Sequence, residues 1–80
     1  MKLTSILKPN KFNLEPEDIK STIIAEDCTL AQAFTMIESW CYDNDCVYPS
    51  LCDVWKSKGI IIVRVKTNDN KFINEFNIID

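Results

Sequence analysis

The 80 residues carry 9 Lys and Arg against 12 Asp and Glu, a formal charge of −3, and this length allows a single domain, residues 1–80, with a modest core. A hydrophobic content of 46% beside 26% charged residues argues against disorder, and no apolar run is long enough to span a membrane. Histidine is absent and glycine occurs once, which removes the commonest general base and metal ligand together with any glycine-rich phosphate cradle, so an enzyme is not expected and neither is a cofactor.

Residues 1–14 hold short apolar groups, Leu3 with Ile6 and Leu7, then Phe12 with Leu14, broken by Pro9 and Asn10. They read as a first element and a turn. Thr4, Ser5 and Lys8 interrupt the apolar residues, so no signal peptide is recognised and a cytoplasmic location is expected. Pro16 followed by Glu17 and Asp18 is a helix-entry signal, whereas the β-branched Thr22-Ile23-Ile24 favours a strand. A short helix or turn from Pro16, then a strand over residues 22–25, reconciles the two.

Thr29-Leu30-Ala31-Gln32 fits a capping box, and Leu30, Ala33, Phe34, Ile37, Trp40 and Cys41 then fall on one helical stripe. The spacing predicts a helix that ends near Asp43 and turns its stripe to the core. Asp43-Asn44-Asp45 resembles the opening of a calcium loop but lacks its glycine and closing glutamate, so it reads as a solvated helix end.

The four cysteines, Cys28, Cys41, Cys46 and Cys52, lie at irregular spacings without a C-x-x-C pair. Zinc binding and a disulfide framework are both disfavoured, the second because a secretory context is missing, and buried free thiols are the simpler reading.

Pro49 and Ser50 resemble a helix entry with Asp53 in the first turn, and Leu51, Val54, Trp55 and Lys58 fall at helical spacing before Gly59. A second, short helix over residues 50–58 is expected. Residues 60–65 are β-branched nearly throughout, residues 67–70 have turn chemistry, and residues 72–79 alternate, which predicts a hairpin. With Lys66 facing Lys71, one face would hold Ile61, Val63, Val65, Phe72, Phe76 and Ile78. The other would hold Ile60, Ile62, Arg64, Ile73, Glu75 and Ile79, with Arg64 and Glu75 diagonal. The expected fold class is therefore α+β: two helices packed on a small antiparallel sheet containing a C-terminal β-hairpin.

Charge is distributed unevenly. Residues 21–55 contain no Lys or Arg, while Glu26, Asp27, Glu38, Asp43, Asp45 and Asp53 supply six negative charges. An acidic surface steers a basic partner and can occupy a groove built for nucleic acid. The expected function is that of a small acidic, non-enzymatic protein-binding inhibitor or adaptor. Its partner would be a protein with a basic surface, met through those six carboxylates with Tyr42 as an aromatic anchor. Abundant Asn, Ile and Lys match an AT-rich genome, in keeping with a phage or mobile-element protein of anti-defence type aimed at a host nucleic-acid-handling protein.

An alternative starts from residues 50–79, whose helix, sharp stop and hairpin resemble the recognition helix and wing of winged helix-turn-helix domains. That resemblance implies DNA contacts from Lys56, Lys58, Arg64, Lys66 and Lys71. Asp53 and the acidic segment upstream oppose it, because attraction to phosphate dominates such affinity. Self-association through the hairpin face carrying Ile60, Ile62 and Ile73 is a further expectation.

Overall fold

A computed structural model describes residues 1–46 and 53–80. In chain order the elements are β1 (Lys2–Pro9), a single 3-10 turn (Pro16–Asp18), β2 (Lys20–Ala25), α1 (Leu30–Asp43), β3 (Val54–Ser57), β4 (Ile60–Lys66) and β5 (Phe72–Ile79). The strands form one antiparallel sheet in the order β2-β1-β5-β4-β3, so β1 and β5, from the two ends of the chain, pair at its centre. One helix covers one side of it.

The expected pair of helices is corrected here. Val54, Trp55, Lys56 and Ser57 are extended and pair with Val63, Ile62, Ile61 and Ile60, so this stretch is an edge strand rather than the end of a short helix. Lys58 and Gly59 form a two-residue hairpin turn with φ of 51° and 81°, the doubly positive geometry whose twist suits antiparallel strands. A glycine that can close a helix can equally turn a hairpin, because both sites require positive φ. Ser50 to Cys52, the start of the expected helix, lie outside the described residues. With a strand at Val54–Ser57, the winged-helix alternative loses its recognition helix.

β1 escaped the sequence reading as a strand because its partner along most of its length is β5, some 70 residues away, a pairing with no local signature. Leu3 opposes Ile78 and Ser5 opposes Phe76 on the side covered by the helix. The segment after Asp18 is a strand, as the β-branched run implies.

α1 starts as its sequence dictates. The Thr29 hydroxyl accepts from Gln32 N at 3.1 Å, and the Gln32 side chain accepts from Thr29 N at 2.9 Å. Ala33, Ile37 and Cys41 from its stripe are buried against Leu3, Val63, Val65, Phe76 and Ile78, while Trp40 meets Phe76 edge-on with ring centroids 5.5 Å apart. Leu30, at the start of the stripe, stays 38% exposed.

The C-terminal hairpin keeps the expected division of β4 side chains between two faces but shifts the pairing by two residues. Val63 opposes Phe76 and Ile61 opposes Ile78. The turn sits one residue later than its chemistry predicts: Thr67 N donates to Phe72 O at 3.1 Å, which makes Asn68 to Lys71 the loop. An even shift preserves the faces, so the error costs no side chain its layer. Asn74 keeps its place on the helix side, and the shift leaves Phe72 43% exposed at the strand end. It also sets Arg64 directly opposite Glu75, although the ion pair of Glu75 is with Lys8, at 3.0 Å.

Candidate functional site

Alternation along the paired strands sends Lys2, Ile6, Lys8, Ile60, Ile62, Arg64, Lys66, Ile73, Glu75 and Ile79 to the side of the sheet away from α1. Four cations and one carboxylate therefore lie on the helix-free face, whereas the block without Lys or Arg, residues 21–55, contains the whole helix. The helix-free face is net positive and α1 itself is acidic, while Lys56, opposite Ile61, and Lys20, opposite Leu7, fall on the helix side of the sheet.

On the helix side the seven expected contact residues divide. Glu38, Tyr42 and Asp43 line one shallow groove of about 470 Å³ with Thr35 and Ser39. Asp27 lines a second, of about 460 Å³, with Ala25, Cys28, Ala31, Gln32, Thr35 and Met36. Thr35 borders both, which makes them one band along the outer side of α1. At 1.5 Å per residue, the 14 residues of the helix give that band a length of about 20 Å. Glu26 is exposed in the turn before α1 but lines neither groove.

Asp45 belongs elsewhere. Its backbone has φ of 53°, its carboxylate accepts from Asn68 Nδ2 at 3.1 Å and its carbonyl accepts from Asn68 N at 3.0 Å. These bonds tie the end of α1 to the β4–β5 turn, a structural task that no sequence pattern announced. Asp53 lies just before β3, half-buried and engaged in an interaction of its own. The acidic set is thus reduced to Asp27 near the start of the band and Glu38 and Asp43 beside Tyr42, which is 88% exposed.

Helix electrostatics make that residue choice informative. The C-terminal end of a helix is its negative pole, where an acidic residue costs roughly 0.3–1 kcal/mol and a basic one is favoured. α1 has no basic residue in its last turn and no acidic residue in its first, yet Asp43 occupies its final position. The two ion pairs among the described residues, Lys8–Glu75 and Lys11–Asp18, leave Glu38 and Asp43 unneutralised. Helix stability therefore does not account for Asp43.

Cys28, Cys41 and Cys46 are free thiols, and Cys52 lies outside the described residues. Burial, with smaller contributions from Cys46 and Glu38, pushes the Cys41 thiol up to about 11, so it is protonated at neutral pH and no nucleophile. Burial also raises the Cys46 thiol, helped by Asp45 and Asp69. Among the described residues no group of three or more His, Cys, Asp or Glu could hold a metal ion, and no helix is long and apolar enough to cross a membrane.

One feature of the helix-free side went unread in the sequence. Phe12 is fully exposed in the segment between Pro9 and Leu14, at the rim of a groove of about 520 Å³ lined also by Lys8, Asn10, Lys11, Arg64 and Ile73. A lone aromatic residue in a loop carries no periodicity by which it could be found. Ile73 is 5% exposed at the base of this corner, which removes it from the expected self-association surface, and Ile60 and Ile62 are half-buried.

No protein-family model, curated protein or solved structure matches the chain.

Proposed function

We propose that the protein acts by binding, as a small non-enzymatic inhibitor or adaptor whose acidic α1 band docks against a basic surface of another protein. The observation that carries this reading is the placement of Glu38 and Asp43, without cations, toward the negative end of the helix and beside the exposed Tyr42. Asp43 at the negative end of the helix and Glu38 just before the last turn, with the exposed Tyr42 between them, have the composition of a docking surface, where aromatic residues anchor and charge selects. Ala25, Ala31 and Met36 give the band an apolar floor for the stems of Lys or Arg side chains.

Proteins that handle nucleic acid carry basic grooves, and an acidic band about 20 Å long suits such a groove. A nuclease or polymerase of a host cell is accordingly the class of target, and the abundance of Asn, Ile and Lys fits a phage or mobile-element origin.

The test is affinity capture from nuclease-treated host extract with the wild-type protein and a Glu38→Lys/Asp43→Lys variant. A protein retained by the wild type and lost by the variant supports the reading. Equal retention by both, or a partner released by the nuclease treatment, rejects a direct acidic contact.

A further inference from the structure

We propose that the groove under Phe12 on the helix-free face binds single-stranded nucleic acid, with Phe12 stacking on a base and Lys8, Lys11 and Arg64 meeting phosphates. This surface is independent of the acidic band on the other side of the sheet. Three observations carry it.

The first is the presentation of Phe12. An aromatic ring with no burial at all gives nothing to the core, yet the loop that holds it is tied down. Asn10 N donates to Lys71 O at 2.8 Å, Asn10 Nδ2 donates to Asn70 O at 3.0 Å, and Lys11 reaches Asp18 at 3.3 Å. These bonds fix the two residues before the ring, and Leu14 N donates to Phe12 O at 3.2 Å just after it. Preorganised aromatic platforms are what sequence-tolerant binding of unpaired bases requires, because every base has a π-face.

The second is local charge. Lys8, Lys11 and Arg64 line the groove, and Lys66 lies beside Ile73 on β4. Against these four cations stand Glu75 and Asp18, paired with Lys8 and Lys11. The site is net positive in a protein whose total charge is −3. The total is not what a ligand senses there: the molecule is 21 Å through its shortest dimension, well beyond the screening length of about 8 Å at physiological salt. Exposed ion pairs are weak, so a phosphate can take Lys8 or Lys11 from its carboxylate at small cost.

The third is shape. The helix-free face is an open sheet surface on which Trp55, 41% exposed, lies in the same cross-strand row as Ile62, Asn77 and Thr4. A strand running from Phe12 over Arg64 toward Trp55 would meet cations and rings in alternation. Among the described residues no helix projects from this face to enter the groove of a duplex, so unpaired bases are the better match.

Fluorescence anisotropy with labelled ten-nucleotide oligothymidylate, its oligouridylate counterpart and a duplex of equal length tests the proposal on the full chain. Saturable binding of a single strand, weaker at higher salt and weakened about tenfold or more by Phe12→Ala and by Arg64→Glu, is expected, and the tighter of the two homopolymers identifies DNA or RNA as the source. Phe12 makes no core contact, so its replacement leaves the fold intact, and Glu38→Lys serves as the control that does not weaken binding. Absence of saturable binding to either strand would overturn the proposal. So would duplex binding as tight as that of the single strands and indifferent to Phe12→Ala, or equal, Phe12-dependent binding of a poly-glutamate peptide, which would assign the groove to an acidic polypeptide.

Discussion

Ser5 donates its hydroxyl to the Asn74 side-chain oxygen at 2.8 Å, joining the two central strands on the side buried beneath the helix. Ser5 opposes Phe76 and Leu7 opposes Asn74, so the bonded pair is diagonal across the ladder. Both faces of β5 carry isoleucine, Ile73 and Ile79 on one side and Ile78 on the other, and hydrophobic pattern alone discriminates poorly between registers two residues apart. The polar pair supplies the missing distinction.

That pair is costly. Asn74 Nδ2 is buried and has no hydrogen-bond partner among the described residues. Ser5→Ala removes the one bond the Asn74 amide makes and should destabilise the fold by about 1–3 kcal/mol. Ser5→Ala/Asn74→Leu removes every orphaned group and should recover at least that loss. Urea unfolding midpoints of the two variants check the order, which fails if the double variant is the weaker.

Lys58 carries positive φ in the two-residue turn before β4, a conformation that costs an ordinary L-residue about 1 kcal/mol. Asn-Gly is the favoured pair for such turns. Lys58→Asn should therefore raise the thermal midpoint, by roughly 4–8 °C for each kcal/mol gained in a domain of this size. An unchanged or lower midpoint would contradict the turn geometry.

Asp69 gives the β4–β5 turn a pH dependence. Its carboxylate accepts from the Thr67 hydroxyl at 2.6 Å and from Lys71 N at 3.0 Å, and these bonds, the first the larger, hold it below the usual carboxylate range. A depressed folded-state value means that the contribution is complete above the unfolded value near pH 4 and is lost as pH falls through the folded one. Relative to Asp69→Asn, the wild type should be favoured at neutral pH, and the difference should shrink below about pH 4. Unfolding curves of both proteins from pH 7 to pH 2.5 measure it, and a difference that grows on acidification would be the wrong sign.

The parts of this fold that were legible are those whose causes are local. The Thr29–Gln32 cap and the stripe of Ala33, Ile37 and Cys41 define α1 from a single window, and β-branching identifies β4. What escaped is decided at a distance or by a degenerate signal. Gly59 fits either a helix end or a hairpin, and only the pairing of Val54–Ser57 with β4 selects the second. Thr67 belongs by composition to the turn, yet its hydroxyl accepts from Phe72 N at 3.2 Å and draws the pairing one step further.

The candidate site was legible as composition and not as geography. Six carboxylates in one stretch were visible, but nothing local separated Asp45, which serves the Asn68 contact, from Glu38 and Asp43, which face outward. On the opposite face the basic groove depends on bringing Lys8, Phe12 and Arg64 together from β1, its following loop and β4, an arrangement that only the sheet order creates.

The outer side of α1 is proposed to dock positive charge. Titration of the isotopically labelled protein with an arginine-rich peptide at physiological salt, followed by backbone amide shifts, tests it most directly. Movement confined to residues around Asp27, Thr35, Glu38, Tyr42 and Asp43, and abolished by Glu38→Lys/Asp43→Lys, is the expected result. Shifts centred on any other surface, or the same response from the charge-reversed protein, would contradict it.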